Sequence, residues 1–137
     1  MEHLKLCESD LRFMQLVWEH EPINSSKLVE LCFEELGWKK STTYTMIKKL
    51  CEKQFAKSEN AIVTSLIPKE EVQAYESKYV VDHSFGGSLP SFLCSFLGNS
   101  KLTKEEVMEL KKLIDECHNR NIKLIIDLPI VIYYLLL

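Results

Sequence analysis

In "SDLRFMQLVWEHEP" the apolar residues Leu11, Met14, Val17 and Trp18 recur three or four positions apart, the spacing of one face of an α-helix. Ser9 or Asp10 can cap that helix, and Pro22 stops it. Asn24-Ser25-Ser26 opens a second helix carrying Leu28, Leu31, Cys32 and Leu36, which Gly37 ends. Ser41 or Thr42 caps a third, in which Thr43, Ile47, Leu50 and Cys51 share one face. The period then changes. In "FAKSENAIVTSLIP" short β-prone runs flank Ser58-Glu59-Asn60, the expected hairpin turn, and Pro68 closes the unit. Three helices followed by a hairpin is the order of a winged helix-turn-helix.

Beyond Pro68, which suits the first turn of a fourth helix, Val72, Tyr75 and Tyr79 form a helical stripe. Phe85-Gly86-Gly87 breaks it. Ser88 can cap the next segment, "LPSFLCSFL", where Leu89, Phe92, Leu93, Phe96 and Leu97 make one wide apolar face, and Gly98-Asn99 ends it. Thr103 and Glu106 have capping-box spacing, with Leu102 and Val107 placed for the accompanying hydrophobic staple. Val107, Leu110, Ile114 and Cys117 follow at a/d spacing, which suits a helix–helix seam. The expected fold is therefore mainly α: a winged helix-turn-helix over residues 1–69, a helical dimerisation lobe over 70–122, and an apolar tail over 123–137. Leu89, Phe92, Leu93, Phe96, Val107, Leu110 and Ile114 are the candidate dimerisation residues. In the tail, "LIIDLPIVIYYLLL" is interrupted by Asp127 and Pro129 and falls short of the roughly 20 apolar residues of a membrane helix, so no membrane insertion is expected. It packs against this chain or a partner, or it is a reading-frame artefact.

Composition agrees with a soluble, core-forming chain: of 137 residues, 46% are hydrophobic and 27% charged. The N-terminus lacks the basic and apolar regions of a signal peptide, so a cytoplasmic location is expected. Five scattered cysteines without a Cys-x-x-Cys pair point to reduced thiols.

Charge changes the picture more. The formal net charge is −3, yet residues 38–57 hold six lysines against one acid, Glu52. On the third helix, the side away from Thr43, Ile47 and Leu50 carries Ser41, Thr45, Lys48, Lys49 and, last, Glu52, with Thr42 and Tyr44 on its flank and Lys39 and Lys40 just before it. Lysines suit phosphates or guanine edges, and hydroxyls suit phosphates or bases. Lysine-rich helices are commonly just solvated faces. Here the basic face falls on the third helix of a helix–helix–helix–hairpin order, where winged-helix proteins place their reader, and that favours duplex DNA. A winged helix that docks an acidic protein partner without reading DNA is the alternative, supported by the sparse positive charge of the hairpin.

Other chemistry is weak. Cys117-His118 and the His3/Cys7 pair each lack the further ligands that structural zinc requires. No P-loop, GxGxxG or GxSxG motif is present. No metal, no cofactor and no enzymatic activity are expected.

The residues also resemble a known family. Val17-Trp18, Trp38 with Thr42 and Thr45 leading into Leu50, the Phe85-Gly86-Gly87 break and the Leu102-Thr103 cap, within a likeness running from about Ser9 to Glu116, resemble the penicillinase repressors of BlaI/MecI type. The resemblance implies a homodimeric winged-helix repressor on palindromic operators, controlling genes of the antibiotic-resistance type, with DNA contacts at Ser41, Thr42, Tyr44, Thr45 and Lys49. Better-known members are released by a membrane sensor protease system cutting an Asn–Phe bond in the fifth helix; the nearest match here, Ser95–Phe96, departs from that bond. Departures are Gln54 where the family usually has glycine, Lys49 where it commonly has arginine, and a hairpin with no basic residue between Glu59 and Ile67.

Overall fold

In the computed structural model, residues 2–98 and 100–126 are described, those from 121 onward as backbone. The chain divides into two compact units, residues 1–92 and 93–137. The first unit thus runs past the boundary expected at residue 69.

After a 3₁₀ turn at Glu2–Leu4, the first unit contains α1 (Glu8–His20), β1 (Ile23–Asn24), α2 (Ser25–Leu36), α3 (Lys40–Glu52), β2 (Ala56–Glu59), β3 (Ile62–Ser65) and α4 (Lys69–Ser84). The three strands form one antiparallel sheet in the order β1-β3-β2, with Ile23 opposite Val63 and Glu59 opposite Ile62. Helices α1–α3 followed by this hairpin make a winged helix-turn-helix. Strand β1, only two residues long, has no counterpart in the periodicity, because two residues are too few to show alternation.

The core of this unit is built from one stripe of each element. Phe13, Met14 and Val17 of α1, Leu28 and Cys32 of α2, Leu50 of α3, Phe55, Ala56 and Val63 of the hairpin region and Val72 of α4 are at most 1% exposed. Phe13 stacks on Trp38 just after α2, with ring centroids 6.3 Å apart and planes 9° from parallel. The Trp18 indole N–H donates to the Ile67 carbonyl at 3.0 Å, tying α1 to the chain leaving the wing. Glu21, just past α1, accepts from both the backbone N–H and the hydroxyl of Ser65, at 3.0 and 2.9 Å. The wing is thereby held to α1 from two sides.

Several expected termini are placed differently. Helix α1 begins at Glu8 with Cys7 in the capping position and no side-chain cap. Neither Ser9 nor Asp10 caps it, because Asp10 faces inward and its carboxylate is used elsewhere. Helix α3 begins one residue before Ser41, with Lys39 in the capping position and again no side-chain cap. Ser41 and Thr42 are therefore residues of its first turn. The hairpin turn is Asn60-Ala61, with φ of 52° and 61°, rather than Ser58-Glu59-Asn60. Positive φ at both turn residues matches the right-handed twist of the flanking strands. The cap on α2 is as expected: Asn24 Oδ1 accepts from the Ser26 N–H at 2.9 Å.

Helix α5 (Leu89–Leu97) spans the junction between the units, and α6 (Lys104–Ile126) occupies the second. Ser88 caps α5, its hydroxyl accepting from the Ser91 N–H at 3.2 Å. The capping box of α6 is formed in both directions: Thr103 N–H donates to Glu106 at 2.8 Å, and Glu106 N–H to the Thr103 hydroxyl at 3.1 Å. Helix α6 continues through Ile126, so the first residues of the expected tail are helical. The rest of that tail, like Asn99, lies outside the described residues.

Candidate nucleic-acid interface

Helix α3 turns Thr43, Met46, Ile47 and Leu50 inward. Rotation of about 100° per residue then fixes what faces out. Lys39, Lys40, Ser41, Thr42, Tyr44, Thr45 and Lys48 are all exposed. The Lys40 ammonium lies 5.9 Å from the centre of the Tyr44 ring, a cation–π arrangement at the start of the helix. The Thr45 hydroxyl donates to the Ser41 carbonyl at 2.9 Å. That bond uses the hydroxyl proton, so Thr45 presents a methyl group and a hydrogen-bond acceptor outward. Because Lys39 provides no side-chain cap, the first-turn N–H groups are left for an anion, which the helix dipole also favours.

Lys49 sits differently. Its ammonium is 2.7 Å from Asp10 Oδ1, and Lys53 Nζ is 2.9 Å from Asp10 Oδ2. Asp10 is fully buried, while the two lysine side chains are 42% and 43% exposed. Burial by itself pushes the Asp10 carboxyl up. Hydrogen bonds from Lys49, Lys53 and the Cys7 thiol outweigh it and hold the group below the usual aspartate range. The same contact with Asp10 raises the Lys49 ammonium.

Of the six lysines that mark this stretch, Lys49 and Lys53 are thus spent on one carboxylate. Lys57 lies 3.8 Å from Glu59 on the wing. Lys39, Lys40 and Lys48 have no ion pair among the described residues. Counting charges along the chain misses Asp10, which is 39 and 43 residues from its partners. One signal was present: Asp10 lies in register with Met14 and Val17, on the stripe that faces the core.

The expected dimerisation residues are on α5 and α6. Leu89, Phe96, Leu110 and Ile114 are exposed, at 55%, 67%, 37% and 60%, and Phe92, Leu93 and Val107 are half-buried. Met108 and Leu113 of α6 are exposed as well and were not singled out by the a/d spacing. Ser95 and Phe96, the nearest match to the Asn–Phe bond that the resemblance implies, are both exposed within α5. No helix among the described residues is long and apolar enough to cross a membrane.

A family model described as the penicillinase repressor matches residues 6–116, which takes in the winged unit, α5 and half of α6. The chain belongs to the penicillinase repressor family. Among curated proteins, this member is 24% identical to the penicillinase repressor of Bacillus licheniformis over 120 residues, covering 85% of this chain and 94% of that one. It is 21% identical to the methicillin resistance regulatory protein MecI of Staphylococcus aureus over 116 residues, covering 82% and 94%. An uncharacterised 16.5 kDa protein from Latilactobacillus sakei is 24% identical over 114 residues, covering 80% and 78%. As a penicillinase-repressor family protein, the chain is a transcription regulator by family, and its Gln54 has a defined conformation. Gln54, where the resemblance implies glycine, adopts φ 66°.

Proposed function

We propose that this protein is a transcriptional repressor that binds palindromic operator DNA as a homodimer, laying α3 in the major groove. The observation that carries the reading is the outward face of α3, where Thr42, Tyr44, Thr45 and Lys48 stand clear of the core that Ile47 and Leu50 enter. In this reading Lys39, Lys40 and Lys48 contact phosphates, and Ser41 joins them through its hydroxyl and the free N–H groups of the first turn. Thr42, Tyr44 and Thr45 read base edges, Thr45 through its methyl or as an acceptor. The a/d stripe of α6, with the apolar face of α5, pairs two protomers. Their α3 helices then reach successive major grooves about 34 Å apart. Relatives named for penicillinase and methicillin resistance make genes of that type the natural targets.

Titration of the protein against its own upstream promoter region, with competitor DNA and at several salt concentrations, tests this. The expected result is saturable, competitor-resistant binding, weakened on replacing Thr42 and Thr45 with Ala for the operator but not for random duplex. Weak binding that salt erases and that ignores sequence would instead favour a winged helix docking an acidic protein, a role suited to a wing whose Lys57 is paired with Glu59.

A further inference from the structure

We propose that Asp10 is a positioning residue for the DNA-reading helix, and that Lys49 and Lys53 serve DNA binding by holding α3 on α1 rather than by touching phosphate. The inference deepens the reading of α3 as the DNA-contacting helix and rests on it.

The geometry is that of a two-point clamp. Lys49, in the last turn of α3, and Lys53, its C-cap residue, are four residues apart, so both lie on one side of the helix end. Each takes a different oxygen of the same carboxylate, at 2.7 and 2.9 Å. Two contacts to one planar group fix rotation of that turn as well as its distance from α1. Asp10 itself cannot turn to solvent, since it is fully buried beside Phe13 and Met14 in the first two turns of α1.

A buried carboxylate without its cations is strongly unfavourable, so pulling both ammonium groups away toward a phosphate would carry a large penalty. Hydrogen bonds from the two lysines keep the Asp10 carboxyl ionised and below its ordinary value, in keeping with a pairing that persists at neutral pH. Lys48, one residue earlier and about 100° round the helix, has no ion pair among the described residues and is exposed. Neighbouring lysines on one helix therefore have different duties: Lys48 is offered to the duplex and Lys49 to the fold. Helical rotation and the family resemblance both assign Lys49 to DNA; the Asp10 contact assigns it to the fold.

Salt dependence separates these duties, because each phosphate contact contributes about 0.9 to the slope of log affinity against log salt, or about 1.8 for a symmetric dimer. The parent, Lys48→Ala, Lys49→Ala and Asp10→Asn are compared on operator and on random duplex. Lys48→Ala should flatten the slope by that amount on both DNAs. Lys49→Ala should leave the slope unchanged while lowering the ratio of operator to random affinity several-fold, since the remaining lysine still neutralises Asp10 but no longer fixes the turn. Asp10→Asn should steepen the slope on random duplex, as two released ammonium groups per protomer become available.

Should Lys49→Ala flatten the slope as much as Lys48→Ala, Lys49 contacts phosphate and the inference is overturned. That single lysine variant keeps the test decisive even if Asp10→Asn folds poorly. A parent that binds neither DNA overturns the functional reading and this inference with it. A parent that binds operator, with matching slopes for the two lysine variants, overturns the inference alone.

Discussion

Phe55 donates its backbone N–H to the Leu50 carbonyl at 3.0 Å, closing the end of α3 over a left-handed residue. Gln54, just before Phe55, donates its N–H to the Cys51 carbonyl at 3.1 Å and turns at φ 66°. These two bonds make a Schellman motif, and the burial of both Leu50 and Phe55 provides its hydrophobic contact. Gln54 makes this left-handed turn without being glycine, at a conformational cost. Left-handed φ costs a non-glycine residue about 1–2 kcal/mol, and glycine returns part of that as unfolded-state entropy. Gln54→Gly should therefore stabilise the protein by about 0.5–1 kcal/mol in chemical denaturation. A variant less stable than the parent would show that the Gln54 side chain contributes more than its backbone loses.

Trp18→Phe keeps the aromatic packing of α1 but removes the indole donor from the Ile67 carbonyl. In a part-buried setting this should lower stability by about 1 kcal/mol. The loss should appear as faster amide exchange in β3 and around Ile67, the segment this bond holds.

Asp10 gives stability a defined pH window. Its folded-state pKa is depressed, so its contribution is present above the unfolded value, about 3.9, and fades as pH falls through the lower folded value. Lys49 is raised by the same contact, so its share is present below the unfolded value, about 10.4, and fades as pH rises through the higher folded one. The stability difference between the parent and Asp10→Asn should accordingly be level from about pH 5 to 9 and shrink on both sides. Denaturation midpoints of the two proteins across that range measure it. A difference independent of pH down to pH 3 would mean that Asp10 is not the ionised partner.

On α6, Leu110 and Ile114 continue the a/d stripe that Val107 begins, and both are exposed in a single chain. Leu110→Glu would place a charge in the seam of the proposed dimer. Sedimentation should then report the 16.0 kDa chain alone at concentrations where the parent is a dimer. Persistence of the dimer in that variant would move the interface elsewhere.

What could be read along the chain was whatever a single turn decides. Asn24, Ser88 and the Thr103/Glu106 pair cap their helices as their spacing indicates, because a cap needs partners only two or three residues away. The α3 face was legible for the same reason: Ile47 and Leu50 turn inward, and helical rotation then places Thr45 and Lys48 outside. The left-handed conformation of Gln54 was not legible, since strain at one residue is tolerated only when a packed core such as that around Phe55 holds the backbone there. Tertiary structure alone decided which lysines are free. A charge four residues along a helix can be counted from the sequence, whereas one brought in by another helix, as α1 brings Asp10 to Lys49 and Lys53, depends on packing that desolvates the carboxylate and makes pairing obligatory.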